Sequence, residues 1–289
     1  GTYNTSGNAL DLELSSDFVF VTDGATGLKA IDISTPGNPS LTSTLATSGT
    51  ARTITLSADS NTAFIANSSS GGLLIVDIET PSNPSITATY NTYSSFDVKL
   101  SGDNIFVADH SSGLKILDVS TPSNPSLIGS YNTTGYALGV ALSTDGQTAY
   151  VADADSGLQI IDVSNPSSPS LIGTYDTEWA IRVTLSGQLA YVADMSGGLK
   201  IIDVSTPSNP SLKGSYDTSN ALDVTLSANG DTAFVADYTS GLRIIDVSTP
   251  SNPTLISTFD TPGEAWEVEL SADDKTAYVA DYGEGLQII

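Results

Sequence analysis

Apolar and polar residues alternate along most of the chain in short runs, and the same runs return at regular intervals. Residues 221–258 show the unit most cleanly. Ala-Leu-Asp-Val-Thr-Leu-Ser (221–227) sets apolar side chains at alternate positions, and Thr-Ala-Phe-Val-Ala-Asp (232–237) and Leu-Arg-Ile-Ile-Asp-Val (242–247) follow. Thr-Leu-Ile-Ser-Thr-Phe-Asp-Thr (254–261) comes after a linker holding two prolines. Val, Ile, Thr and Tyr at period two predict strands. Gly, Asp, Asn and Pro at every junction predict turns. No segment sustains a helical period.

The dipeptide Gly-Leu marks the repeat, at Gly27, Gly72, Gly113, Gly157, Gly198, Gly241 and Gly285, with spacings of 41 to 45 residues. The linker DVSTPSNPSL stands at 118–127 and again at 203–212. Four short strands per unit of this length, seven times over, predict an all-β, seven-bladed β-propeller with four antiparallel strands per blade. An open β-solenoid is the alternative, and the chain ends argue against it. Gly1-Thr-Tyr-Asn-Thr5 matches the fourth strand of other units (Gly129-Ser-Tyr-Asn-Thr133, Gly173-Thr-Tyr-Asp-Thr177), and Gly285-Leu-Gln-Ile-Ile289 is a third strand. Residues 1–5 therefore supply the strand the last blade lacks, closing a ring that leaves no open sheet edges. Residues 1–289 are expected to form this single domain. A chain that starts and stops inside a blade, without an initiator Met, points to a domain excised from a longer surface protein.

The chain resembles the LVIVD-repeat family of β-propellers over its whole length. The motif stands as Leu73-Leu74-Ile75-Val76-Asp77, with weaker copies at Leu114–Asp118 and Leu158–Asp162. The Asp-Val-Ser-x-Pro-x-x-Pro linker and the Tyr-Val-Ala-Asp strand are also similar to that family. The resemblance implies the propeller fold and an extracellular or cell-surface location in a bacterium or archaeon.

Charge narrows the functions. Nine Lys and Arg stand against 33 Asp and Glu, a net charge of −24. So few bases leave no phosphate-neutralising surface, which excludes nucleic acid as a partner. A 39% hydrophobic share supports a core, while no run approaches the roughly 18 apolar residues needed for membrane insertion. The absence of Cys excludes disulfides and thiolate chemistry. High acidity keeps such a surface hydrated and favours a monomer.

Two acidic positions recur in nearly every unit: Asp23, Asp109, Asp153, Asp194, Asp237 and Asp281 close the second strand, and Asp32, Asp77, Asp118, Asp162, Asp203 and Asp246 close the third. A residue present in every blade is explained by the blade, as an acceptor for turn amides two residues on. Function is expected where repeats differ. In the first strand, Leu10, Arg52, Phe96, Leu138, Ile181, Leu222 and Trp266 share the parity of core residues, so Phe96 and Trp266 are assigned to the inter-blade core. Asp11, Thr53, Asp97, Gly139, Arg182, Asp223 and Glu267 have the opposite parity and should ring a central channel. Asp11, Asp97, Asp223 and Glu267 could hold a cation, calcium being the natural candidate for oxygen ligands. The alternative is a hydrated channel in which Arg182 pairs a neighbouring carboxylate.

On the loop face, Tyr136 and Trp179 break a small-or-polar habit, and Met195, Tyr238 and Tyr282 follow the second-strand Asp. With Glu178 and Arg182 they form the candidate ligand-binding set, since exposed aromatics beside polar groups are typical of recognition hot spots. Asp153-Ala-Asp155-Ser-Gly157 is only a partial calcium-loop match, and His110 is the single His without a nucleophile motif. These features predict a non-catalytic extracellular binding or scaffolding module that recognises a protein or glycan through one loop face. The alternatives are a metal-assisted hydrolase or polysaccharide lyase acting at the channel mouth, and a ligand-free structural spacer.

Overall fold

A computed structural model describes residues 1–69 and 71–289. The described residues form seven four-stranded antiparallel sheets and no helix, hence none that could cross a membrane. Blade 3 is representative, with strands Asp97–Ser101, Asn104–Ala108, Leu114–Asp118 and Ser126–Tyr131 running from the axis outward. Thr2–Tyr3 pairs with Leu286–Ile288 as the fourth strand of blade 7. The Gly1 ammonium donates to the Ile288 carbonyl at 2.8 Å, and the Ile288 N–H returns a bond to the Gly1 carbonyl at 2.7 Å. The expected ring closure is therefore present.

The apolar residues of each blade pack against the next, giving seven clusters, one per seam. Phe106 and Ile116 of blade 3 meet Val140, Val151 and Ile161 of blade 4. Leu12, Val19 and Ile31 of blade 1 meet Tyr278 and Leu286 of blade 7, with Tyr3 beside them. Two glycines show why the repeat demands them. Gly113 of the Gly-Leu dipeptide has φ +69°, and a Cβ there would lie 2.3 Å from the Tyr131 carbonyl oxygen. Gly129, in the fourth strand, admits the Pro166 carbonyl of the next blade, which a Cβ would meet at 2.2 Å.

One irregularity recurs in every blade and decides what faces the axis. Ahead of each first strand except that of blade 3, a small residue bridges to the preceding blade: Ala137 to His110, Ala221 to Met195, Ala265 to Tyr238, Ala9 to Tyr282. The next two residues then share one partner on the second strand. Leu138 N–H bonds the Ala152 carbonyl while Gly139 is the register partner of Ala152, and Trp266 and Glu267 both face Ala280 in the same way. Two residues opposite one make a β-bulge, which breaks the period-two alternation.

Candidate functional site

The bulge places two consecutive residues of each blade on the axis. The residues expected in the inter-blade core instead line an axial cavity of about 270 Å³ at the loop end of the channel: Leu10, Arg52, Phe96, Leu138, Ile181, Leu222 and Trp266, joined by Thr53, Arg182 and Met195. Phe96 and Trp266 are thus wall residues, and the core assignment is corrected. It followed strict alternation through a point where the register shifts, explicit in blade 2 between Ala51 and Thr53.

Below lies a polar chamber of about 200 Å³ lined by Asp11, Glu13, Asp97, Lys99, Arg182, Asp223, Glu267 and Glu269, among others. Of the ring expected to face the channel, Asp11, Asp97, Arg182, Asp223 and Glu267 line this chamber and Thr53 lines the cavity above it. Three of the ring's four carboxylates are tied to neighbours. Asp11 Oδ2 accepts the Ile54 N–H (2.7 Å), Asp97 Oδ2 the Val140 N–H (2.8 Å) and Asp223 Oδ2 the Val268 N–H (3.2 Å), each from the following blade. Glu269 makes the same kind of link from blade 7 to blade 1, accepting the Leu14 N–H at 3.0 Å. Arg182 spans the centre, with Nη1 2.7 Å from Asp97 Oδ1 and Nη2 3.6 Å from Asp11 Oδ1. Among the described residues, no three His, Asp or Glu side chains stand in a metal-holding group.

Burial dominates the electrostatics here. It pushes Asp11 up to about 8 against the opposing pull of Arg182. Glu269 also rises to about 8, first through burial and then through Glu13. Glu267 rises by burial, then by Asp11 and Asp223, and its Oε2 is buried with no hydrogen-bond partner. For Arg182, burial pulls the guanidinium down, but Asp97, Asp11 and Asp223 together outweigh it and hold the charge on.

The recurrent second-strand Asp residues are all fully buried. Their partners lie farther off than the next turn: Asp194 accepts the Glu178 and Trp179 N–H groups at 3.0 and 2.6 Å, and Asp109 those of Tyr93 and Ser94. They anchor the loop entering six of the seven blades, Asn67 standing in their place in blade 2. The third-strand set does bond amides two residues on, as Asp118 does to Ser120 at 2.8 Å.

Loop-face candidates divide into two groups. His110, Met195, Tyr238 and Tyr282 occupy one equivalent turn position with φ between +41° and +50°, a left-handed conformation unusual for bulky residues. From it, Tyr282 stacks on Trp266 (ring centroids 5.5 Å apart, 18° between planes) and Tyr238 meets Trp266 edge-on at 6.5 Å. On blades 3 and 4, Phe96, His110 and Tyr136 form a continuous stack, at 4.9 and 4.3 Å, with the Arg52 guanidinium 4.0 Å over the Phe96 ring centroid. Burial, then Arg52, lowers the His110 imidazole below its ordinary value, which favours its neutral form. Blades 3 and 7 lie on roughly opposite sides of a seven-membered ring, so two aromatic arrays face each other across the mouth. Met195 lines the cavity. Trp179 is not among the lining residues, and Glu178 accepts a bond from Ser196 Oγ at 3.0 Å outside it. Sequence reasoning missed Arg52, Phe96 and Trp266 as mouth residues; the lone Arg in an otherwise apolar column was the available signal.

Seven consecutive copies of the LVIVD repeat match residues 6–47, 48–92, 94–133, 134–177, 179–218, 220–261 and 262–289. The chain belongs to the LVIVD-repeat family. Solved propellers resemble this LVIVD-repeat protein in fold. The periplasmic gluconolactonase of Pseudomonas aeruginosa superposes with a TM-score of 0.77 at 17% identity, covering 100% of this chain and 90% of that one. The Swd1 β-propeller domain of Myceliophteria thermophila gives 0.78 at 13% identity, covering 100% and 97%. Hydrazine synthase of Kuenenia stuttgartiensis gives 0.79 at 15% identity, covering 99% and 96%. No curated protein matches the LVIVD-repeat chain in sequence.

Proposed function

We propose that this LVIVD-repeat propeller is a non-catalytic extracellular binding module that takes its ligand at the axial mouth on the loop face. The observation that carries this is the apolar cavity between two aromatic arrays, with Trp266 and Tyr282 on one side and Phe96, His110 and Tyr136 on the other. A concave, mostly apolar site with a few convergent polar groups is the usual form of a ligand site. The lining offers only Arg52, Thr53 and Arg182 as polar side chains, which suits an apolar group of a protein partner better than a hydroxyl-rich sugar. The non-catalytic reading is supported by the channel carboxylates, whose oxygens hold amides of adjacent blades.

The test is a panel of short peptides and oligosaccharides scored by thermal melting against the native protein, Leu222→Trp, which fills the cavity, and Trp266→Ala. A ligand held at about 100 times its Kd stabilises by roughly 2.7 kcal/mol, raising Tm by about 4 °C. At least one apolar peptide is expected to do this with the native protein and neither variant. Equal shifts in the filled variant, or none across the panel, would overturn the proposal, the second outcome in favour of a spacer.

A further inference from the structure

We infer that the mouth recognises a carboxylate carried on a single apolar or aromatic group, with Arg52 as the partner of the anion; this deepens, and rests on, the reading of the mouth as the binding site. Arg52 occupies the bulged position of its strand, between Ala51 and Thr53, so its side chain leaves the ladder and enters the cavity. Its Nε donates to Ser68 Oγ at 3.1 Å and its guanidinium carbon lies 4.0 Å over the Phe96 ring centroid. Among the described residues, none of the seven ion pairs includes it. The other cation lining the cavity, Arg182, is already shared between Asp97 and Asp11.

An enclosed guanidinium without a counter-ion is costly, and an arriving anion offsets that cost. Burial and then the neighbouring Arg182 both push the Arg52 group below its ordinary value, so a carboxylate relieves both. Arginine presents paired N–H donors in the geometry a carboxylate accepts. Leu10, Leu138, Ile181, Met195, Leu222 and Trp266 wall the rest of the space. A dry cavity of roughly 150 Å³ takes benzene, so about 270 Å³ holds one ring or short chain together with its carboxylate. The net charge of −24 repels polyanions at the surface. A single carboxylate brought in by an apolar body overcomes that field, since burying the body supplies the driving force.

The chemistry is shared by a small free acid and by a peptide ending in an apolar residue. The experiment therefore uses 3-phenylpropanoate and 3-phenylpropanamide, with N-acetyl-Gly-Gly-Phe as free acid and as amide, titrated at pH 7 by calorimetry. Each acid that binds is expected to do so at least tenfold more tightly than its amide. Arg52→Gln should reduce the ratio below threefold, and Arg52→Lys should leave an intermediate value. A tighter peptide acid identifies a chain end as the source, and binding by the small acid alone identifies a free molecule; either supports the inference. The native acid-to-amide ratio needs no variant, so a folding defect in Arg52→Gln leaves the test intact. Acid and amide binding equally, both lost in Leu222→Trp, would overturn the carboxylate reading and leave the mouth as the site. Failure of all four probes would overturn it as well, and the peptide panel then decides the mouth separately.

Discussion

Arg182 of blade 5 reaches across the channel to Asp97 of blade 3, Nη1 to Oδ1 at 2.7 Å, while the second Asp97 oxygen holds the Val140 N–H of blade 4 at 2.8 Å. One carboxylate thereby joins three blades, and Asp11 brings in blade 1 through the same guanidinium. Removing one partner of a buried pair leaves an uncompensated charge, at a cost of roughly 3–5 kcal/mol. Arg182→Met is therefore expected to lower unfolding free energy by about that amount in urea titrations. Adding Asp97→Asn to it should recover part of the loss. A single-variant loss under about 1 kcal/mol, the scale of an exposed pair, would show that the bridge does not hold the ring.

The channel acids set an unusual pH profile. Asp11 and Glu269 are raised from 3.8 and 4.5 to about 8 by burial. A group with a raised folded pKa contributes stability fully below its unfolded value, and loses it as pH climbs through the folded value. The exposed third-strand residues Asp32, Asp118, Asp162, Asp203 and Asp246 are lowered by Ser hydroxyl and amide bonds, so their contribution is lost below their unfolded 3.8. Tm is expected to peak near pH 4 to 5, fall between there and about pH 8, and fall again in stronger acid. Glu269→Gln should flatten the alkaline limb, and an unchanged slope in that variant would refute the assignment.

Ring closure rests on two register pairs, Thr2 with Gln287 and Tyr3 with Leu286, and on Tyr3 packing beside the seam of blades 1 and 7. Deleting residues 1–5 uncovers the Leu286–Ile288 edge. The expected result is a lower Tm together with concentration-dependent association on size exclusion, because an unpaired edge templates pairing with another chain. A monomeric deletion variant of native Tm would mean that this strand contributes little.

Calcium was a candidate for Asp11, Asp97, Asp223 and Glu267. Three of these hold backbone amides, and Arg182 sits among them, so an ion on that ring has to displace a guanidinium. Melts in calcium, magnesium and chelator at matched ionic strength are expected to agree within about 2 °C at pH 7, less than a saturated site would give. A larger calcium-specific rise would make the ring a metal site.

Strands, seven repeats and ring closure were legible in the chain because each depends on local chemistry: alternating Val and Ile, a Gly that must take positive φ before each third strand, and a Gly1–Thr5 segment that repeats Gly129–Thr133. The acidic ring was legible too, since Asp97 and its equivalents lie on the channel side of a regular strand. The mouth was not. Its wall residues stand at a bulge, and in blades 1, 2 and 4 to 7 an Ala ahead of it pairs with the preceding blade, so the inward turn of Trp266 is set where sheets meet, while that of Phe96 is set by its bond to Ala108 within blade 3. Period two carries no record of such a contact. Arg52, Phe96, His110 and Tyr136 come from three consecutive blades, and only the packing of blade on blade brings them into one stack. Local propensity fixes which residues form strands, but the facing of a side chain at a bulge is decided by bonds to other strands, in six blades including one to the preceding blade.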